Sequence, residues 1–243
     1  RSFFRGKLAL SLFYNLQLSF PFAYKGDEDL QNVFISHLSF TQALDFRDNP
    51  VKPRKGVYFA NEIQLAGGAL QGDADDVRVQ PDLRLYAPVA TKITAAMRGS
   101  IGFLFPRSYG STLSQSAPTT AGDDTAFEEQ RNRDLQLLFF RAFFSGGPSS
   151  NRGYPLRGVG PRGLAPFAIG SGGRAVRECV GRVPGGTGVK GAASQFAALP
   201  PVNQETLEAL CFVPLGGLSL WEWSLELRFQ LTEHLSTLVF LDA

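Results

Sequence analysis

The residues able to do chemistry in this 243-residue chain are few and scattered. His37 and His234 lie far from each other and from the two cysteines, Cys179 and Cys211, so no zinc-ligand spacing is present. No Gly-x-Ser-x-Gly elbow offers a nucleophile. Two Gly-rich stretches, 170–174 (GSGGR) and 184–191 (PGGTGVKG), fall short of a phosphate loop, because Gly191 follows Lys190 where a Ser or Thr is required. Asp73, Asp75 and Asp76 form an acidic group that reads as a solvated loop tip, with cation binding as the alternative. The two cysteines fall in one long loop-like stretch and are expected to form a disulfide in an oxidising compartment. What remains is a run of arginines in a Gly-rich stretch: Arg152, Arg157, Arg162, Arg174, Arg177 and Arg182. A guanidinium presents donors in a planar fork suited to bidentate carboxylate pairing. On charge alone, however, these arginines read as solvated loop cations. The expectation is a non-enzymatic protein with no metal and no cofactor.

The elements that would position these residues are strands. Apolar and polar residues alternate with period two over long segments, the signature of a strand with two different faces. Over 220–231, Trp221, Trp223, Leu225, Leu227, Phe229 and Leu231 oppose Glu222, Ser224, Glu226, Arg228 and Gln230. Over 77–86, Val77, Val79, Pro81, Leu83 and Leu85 oppose Arg78, Gln80, Asp82, Arg84 and Tyr86. The same pattern marks 8–20, 34–46, 57–66, 92–104 and, at the end of the chain, 235–243. Globular strands run about 5–6 residues, whereas a strand crossing a bilayer needs about 9–11. The length therefore favours an outer-membrane barrel, with the polar face lining a lumen and the apolar face meeting lipid, over a soluble sandwich or lipid-binding barrel. Trp221 and Trp223 share the apolar face, as expected for lipid contact.

The connections agree. Links 21–32, 66–76 and 106–216 are long, whereas 47–56, 87–91 and 232–234 are compact, and the two kinds alternate. Outer-membrane barrels alternate long outer loops with short periplasmic turns, which places the long links outside. Within 106–216, residues 108–126 are Ser/Thr-rich and read as flexible, and Leu135, Leu138, Phe139 and Ala142 have helical spacing within a helix predicted over Phe127 to Phe144. Apolar residues make up 44% of the chain, charged residues only 19%, and Phe dominates the aromatics with 21 of them. A net charge of +2 without a Lys/Arg run excludes a nucleic-acid footprint. No apolar run reaches the ~18 residues of a membrane helix. The chain starts at Arg1 without a signal peptide and stops inside the apolar run Leu238 to Leu241, which reads as a piece of a longer protein. Seven strands in lipid would leave backbone groups unpaired at open edges, so closure requires more strands than these.

Three segments carry a family resemblance. The run Phe143 to Pro161 (FFSGGPSSNRGYPLRGVGP) resembles the signature loop of the BamA/TamA superfamily of outer-membrane assembly barrels, with Arg152-Gly153-Tyr154 as its Arg-Gly-aromatic core, Gly146 and Gly147 before it and Gly160-Pro161 after it. Leu44 to Gly56 resembles the family's periplasmic turn, with Arg47, Asp48, Asn49 and Pro50. Ser224 to Ala243 resembles the paired strands that follow the signature loop. Tyr154 stands where Phe is commoner, and the insert at 106–142 is longer than the family pattern.

The resemblance implies one domain over 1–243: an all-β, transmembrane antiparallel barrel, with about seven of roughly sixteen strands present, within the range of such barrels. The 106–216 loop would then fold back into the lumen, with Arg152 meeting Glu226, Phe240 and Asp242 on the inner wall. Gly153 is expected to supply a backbone conformation closed to other residues, and Tyr154 to pack its ring while keeping a polar tip. The implied function is insertion of other β-barrel proteins into the bacterial outer membrane, with a two-partner-type polypeptide secretion pore as the alternative. The implied partners are unfolded outer-membrane proteins, outer-membrane lipid and accessory periplasmic or inner-membrane subunits. The family's periplasmic repeats and its seam strands are not in this sequence.

Overall fold

The computed structural model describes residues 2–3, 7–20, 31–114, 124–163, 213–232 and 235–243. In chain order the elements are β1 (Ser2–Phe3), β2 (Leu8–Ser19), β3 (Val33–Asp45), β4 (Gly56–Ala66), β5 (Asp76–Ala90), β6 (Ile93–Pro106), α1 (Asp124–Arg141), β7 (Arg162–Gly163), β8 (Val213–Pro214), β9 (Ser219–Gln230) and β10 (Ser236–Asp242). All but β7, β8 and α1 form one sheet of order β1-β2-β3-β4-β5-β6-β9-β10, with every neighbouring pair antiparallel. The sheet is an open up-and-down meander of seven long strands and one two-residue strand. β7 and β8 pair separately within the long loop.

Register follows the alternation. Leu65 lies opposite Val77, Ile63 opposite Val79 and Phe59 opposite Leu83, while Glu62 meets Gln80 and Tyr58 meets Arg84 on the other face. Because side chains alternate strictly along a strand, a slip by one residue would put the charges of β5 among the aliphatics of β4. Burial is inverted relative to a soluble protein. Trp221 is 76% exposed and Leu12 63%, whereas Ser100 is 1% exposed and Glu222 8%. Such an arrangement suits a sheet whose outer face is solvated by hydrocarbon and whose polar face is enclosed.

The predicted strands are found within a few residues. β5 continues to Ala90, so the compact link expected over 87–91 shrinks to Thr91 and Lys92, with a register irregularity between Pro88 and Ala90. Pro81 lacks an N–H, and the β5–β6 ladder passes from the pair Val79–Phe103 to the pair Asp82–Ser100 around it.

α1 lies against the inner face at the long-loop end. Leu137, Leu138 and Ala142 pack with Phe143 on Val33, Ile35 and Leu104 to make the one small apolar core among the described residues. The helix starts earlier than predicted, and it stops at Arg141 because Phe143 leaves it to exchange two backbone hydrogen bonds with Gly217, at 3.0 and 2.9 Å. Gly102 makes room for that crossing: a Cβ there would sit 2.6 Å from the Phe143 ring. Residues 108–114, expected to be flexible, are ordered instead. Tyr109 is buried, and Thr112 donates its backbone N–H and hydroxyl to Asp134 of α1, at 3.1 and 2.6 Å.

Candidate functional site: the lumen-loop brace

Beyond α1 the chain makes a compact loop on the inner face. Gly146 and Gly147 hold φ of 107° and 105°, a region that side chains disfavour. A Cβ on Gly146 would meet the Pro155 carbonyl oxygen at 2.5 Å. These glycines turn the chain so that Val159 N–H donates to the Ser145 carbonyl and Gly147 N–H to the Tyr154 carbonyl, both at 3.1 Å. Ser145 and Ser150 both donate their hydroxyls to the Glu222 carboxylate, and Asn151 Nδ2 donates to Ser145 Oγ at 2.7 Å. The loop is therefore seated on β9 before Arg152 is reached.

Arg152 uses its fork on both following strands. Nε and Nη2 donate to the two oxygens of Asp242 on β10 at 2.8 and 2.7 Å, and the Arg152 backbone N–H reaches the same carboxylate at 3.1 Å. Nη1 donates to Glu226 at 2.6 Å and Nη2 to Ser224 Oγ at 2.9 Å, both on β9. The guanidinium carbon lies 3.9 Å from the centre of the Phe240 ring, within cation–π range. β9 and β10 supply these groups together because Asp242 pairs with Ser224 and Phe240 with Glu226 in the ladder. Asp242 first, and then Glu226, raises the Arg152 pKa above its ordinary value, so the group stays charged. Four of the five charged or polar donors of a guanidinium fork are thus matched, a geometry Lys could not reproduce.

A second anchor lies at the α1 end. Arg141 donates Nε and Nη2 to Asp76 at 2.9 and 2.7 Å and Nη1 to Gln64 at 3.0 Å. Tyr109 donates its hydroxyl to Asp76 at 2.8 Å. Burial, and then the Asp76 carboxylate, pushes the Tyr109 pKa well above its ordinary value, which keeps the hydroxyl a donor. Asp76 is 1% exposed. Asp73 accepts the Phe34 backbone N–H at 2.6 Å and lies 2.9 Å from Arg133 of α1. Asp75 lies 3.7 Å from Arg107. The acidic group is thus no solvated tip and no single cation site: its carboxylates face three different arginines.

The structure places Arg152 against Glu226, Phe240 and Asp242. Two details differ from the sequence reading. Gly153 has no positive φ and open space where a Cβ would be, so it supplies no special conformation; Gly146 and Gly147 do. The Tyr154 side chain is exposed, at 58%, rather than packed, and the aromatic contact of Arg152 is with Phe240. Arg157 is exposed, as a solvated loop cation would be, and its guanidinium also stacks on Phe144 at 4.2 Å. Ser224 went unassigned, although it shares the polar face of its strand with Glu226; Arg141 and Asp76 carried no local signal linking them.

The turn holding Arg47, Asp48, Asn49 and Pro50 is ordered by its own side chains. Asp48 accepts the N–H groups of Asn49, Arg54 and Lys55, and Asn49 those of Val51 and Lys52. Arg47 pairs with Asp45 at 2.7 Å and stacks on Tyr58. Arg54 reaches the Thr91 carbonyl, tying this turn to the next one. His37 sits in β3, paired with Asn15 and Ala66. Cys179, Cys211, His234 and the stretches 170–174 and 184–191 lie outside the described residues.

The sequence matches the Omp85 superfamily domain over residues 9–243. No curated protein matches the chain. Among solved structures, the crystal structure of BamA from Haemophilus ducreyi lacking POTRA domains 1-3 is similar, with a TM-score of 0.50 and 15% identity. The match covers 90% of this chain and 32% of that one, so the chain spans about a third of that structure's length. At this identity the likeness concerns the fold, which is that of an outer-membrane barrel. The chain belongs to the Omp85 superfamily, and its long strands are part of a bacterial outer-membrane β-barrel.

Proposed function

We propose that this chain serves in the insertion of β-barrel proteins into the outer membrane, in the manner of the BamA/TamA branch, and that Arg152 braces the barrel wall during that work. The observation that carries the reading is the Arg152 fork, which ties the lumen loop to Ser224, Glu226 and Asp242 on two neighbouring strands. The proposed clients are unfolded outer-membrane proteins arriving from the periplasm, delivered with the help of periplasmic or inner-membrane subunits. Insertion needs no covalent step. An exposed strand edge offers backbone N–H and C=O groups to an incoming strand, as in β-augmentation. A wall that opens at one place must stay in register elsewhere, and a charge-assisted clamp between β9 and β10 resists shear there. The helix α1 on the inner face favours templating at an edge over an open conduit.

The reading is tested with the full-length protein reconstituted in liposomes and an unfolded client barrel protein, following folding by heat-modifiable gel mobility. Arg152→Ala is expected to slow client folding about tenfold, the rate equivalent of ~1.4 kcal/mol of lost stabilisation. Arg152→Lys, which keeps the charge but loses the fork, is expected to behave similarly. Wild-type rates in both variants would refute the brace. A full-length protein that never speeds client folding, but releases a polypeptide across the bilayer, would favour a secretion pore instead.

A further inference from the structure

Between the underside of the Arg152 loop and the wall lies a cavity of about 380 Å³. Its lining includes Arg84 and Tyr86 of β5, Arg98 of β6, Ser149 and Ser150 of the loop, and Arg228 of β9. It sits on the side of the loop away from α1, toward the short turns: Arg84 faces Arg98 across one ladder, and Arg228 faces Thr94, the second residue of β6, across the next. The size is at the lower end of small-ligand pockets.

The charges around it do not balance locally. Four guanidiniums, those of Arg84, Arg98, Arg152 and Arg228, share the carboxylates of Asp82, Glu226 and Asp242. Every oxygen of those carboxylates is occupied. Asp82 receives Arg84 Nε at 2.7 Å on one oxygen and Arg98 Nε at 2.6 Å on the other. Glu226 receives Arg152 on one oxygen and Arg228 on the other, and Asp242 is filled by Arg152. The donors are not used up. Among the described residues, Nη1 and Nη2 of Arg84 and Nη2 of Arg98 donate to no protein oxygen; Arg98 Nη1 donates to the Ser149 carbonyl at 2.7 Å. The carboxylates lie beneath, with side chains 13%, 15% and 6% exposed for Asp82, Glu226 and Asp242, while Arg84, Arg98 and Arg228 keep 40%, 31% and 37%. Seen from the cavity, the wall presents four guanidiniums, those of Arg84, Arg98, Arg152 and Arg228, against the one carboxylate of Glu226. Like charges directly opposite on neighbouring strands are destabilising, and Arg84 and Arg98 stand so, over a single carboxylate. A second anion in the cavity would relieve that repulsion and meet the spare donors bidentately.

We propose that this cavity binds a carboxylate carried by a polypeptide, an acidic side chain or a chain terminus, entering from the short-turn side. That the polypeptide is a client of insertion rests on the function proposed above; the binding itself does not, and it is measured without insertion.

The test uses the full-length protein in detergent micelles at low salt, with fluorescent, capped ten-residue peptides read by anisotropy. One peptide carries two central glutamates. A second has glutamines in their place, and a third is the glutamine peptide with a free terminal carboxylate. The glutamate peptide is expected to bind and the capped glutamine peptide to bind at least about tenfold more weakly. Binding of the third would assign the terminus as a further source; its failure would assign the side chain alone. Arg84→Gln with Arg98→Gln is expected to weaken glutamate-peptide binding about tenfold, as is Arg228→Gln alone, which serves if the double variant does not fold. Arg107→Gln, exposed at the other end of the barrel wall, is expected to leave binding unchanged. Equal binding of the capped glutamate and glutamine peptides, or wild-type binding by the folded arginine variants, would overturn the proposal, and so would an equal loss in Arg107→Gln.

Discussion

Arg141, the last residue of α1, places Nε and Nη2 on the two oxygens of Asp76, the first residue of β5, 65 positions earlier in the chain, at 2.9 and 2.7 Å. Both side chains are almost fully buried, at 4% and 0% exposure. This pair fixes one end of the lumen loop to the β4–β5 side of the wall, as Arg152 fixes the other to β9 and β10.

Removing one partner of a buried pair strands the other charge. Arg141→Ala or Asp76→Ala is therefore expected to destabilise the docked helix by about 3–5 kcal/mol. The double change to Arg141→Met and Asp76→Leu is expected to recover only part of that loss, because it removes both charges but leaves the Tyr109 hydroxyl and Gln64 Oε1 without their partners. Limited proteolysis around 124–141 with urea denaturation checks this. A single variant as resistant as wild type would show that the pair does not hold α1.

The glycines of the signature loop separate by backbone geometry. Gly146→Ala must place a Cβ 2.5 Å from the Pro155 carbonyl oxygen at a φ of 107°, whereas Gly153→Ala meets nothing within 4 Å. The first is expected to cost about 1–3 kcal/mol in strain, and the second to stay within about 0.5 kcal/mol of wild type. Urea midpoints of the refolded barrel, compared for the two variants, measure the difference; the reverse ranking would contradict the loop conformation.

The turn at Asp48 predicts a pH dependence. The N–H groups of Arg54 and then Lys55 hold its carboxylate below the ordinary value of 3.8. A depressed carboxylate stabilises the fold above its unfolded pKa, and that contribution is lost as pH falls through the lower, folded value. Hydrogen-exchange protection at the amides of Arg54 and Lys55 is expected to hold at neutral pH and to decline below pH 3.8. In Asp48→Asn it is expected to be flat across that window. An identical decline in both proteins would place its cause elsewhere.

The strands were legible because alternation is a local property: Trp221 through Leu231 declare two faces without knowledge of any neighbour. Register then follows, since each apolar face must meet another. The Arg152 partners were legible only through the resemblance, because Arg152 in isolation looks like Arg157 or Arg162. The Arg141–Asp76 pair was invisible for a different reason. Each residue sits at the end of an element, where a charge ordinarily meets water, and nothing in the intervening chain says that both ends fold inward. The sequence marks where glycine stands, not which glycine has positive φ, and it is Gly146 and Gly147 rather than Gly153 that adopt that conformation.

The central claim is that Arg152 and Asp242 hold the loop and the last strand together as a pair. A double-mutant cycle on urea unfolding of the refolded full-length barrel, with Arg152→Ala, Asp242→Asn and both, measures their coupling apart from other effects. A coupling of about 1–3 kcal/mol is predicted for groups in one hydrogen-bonded network. Losses that simply add, with coupling near zero, would contradict the account.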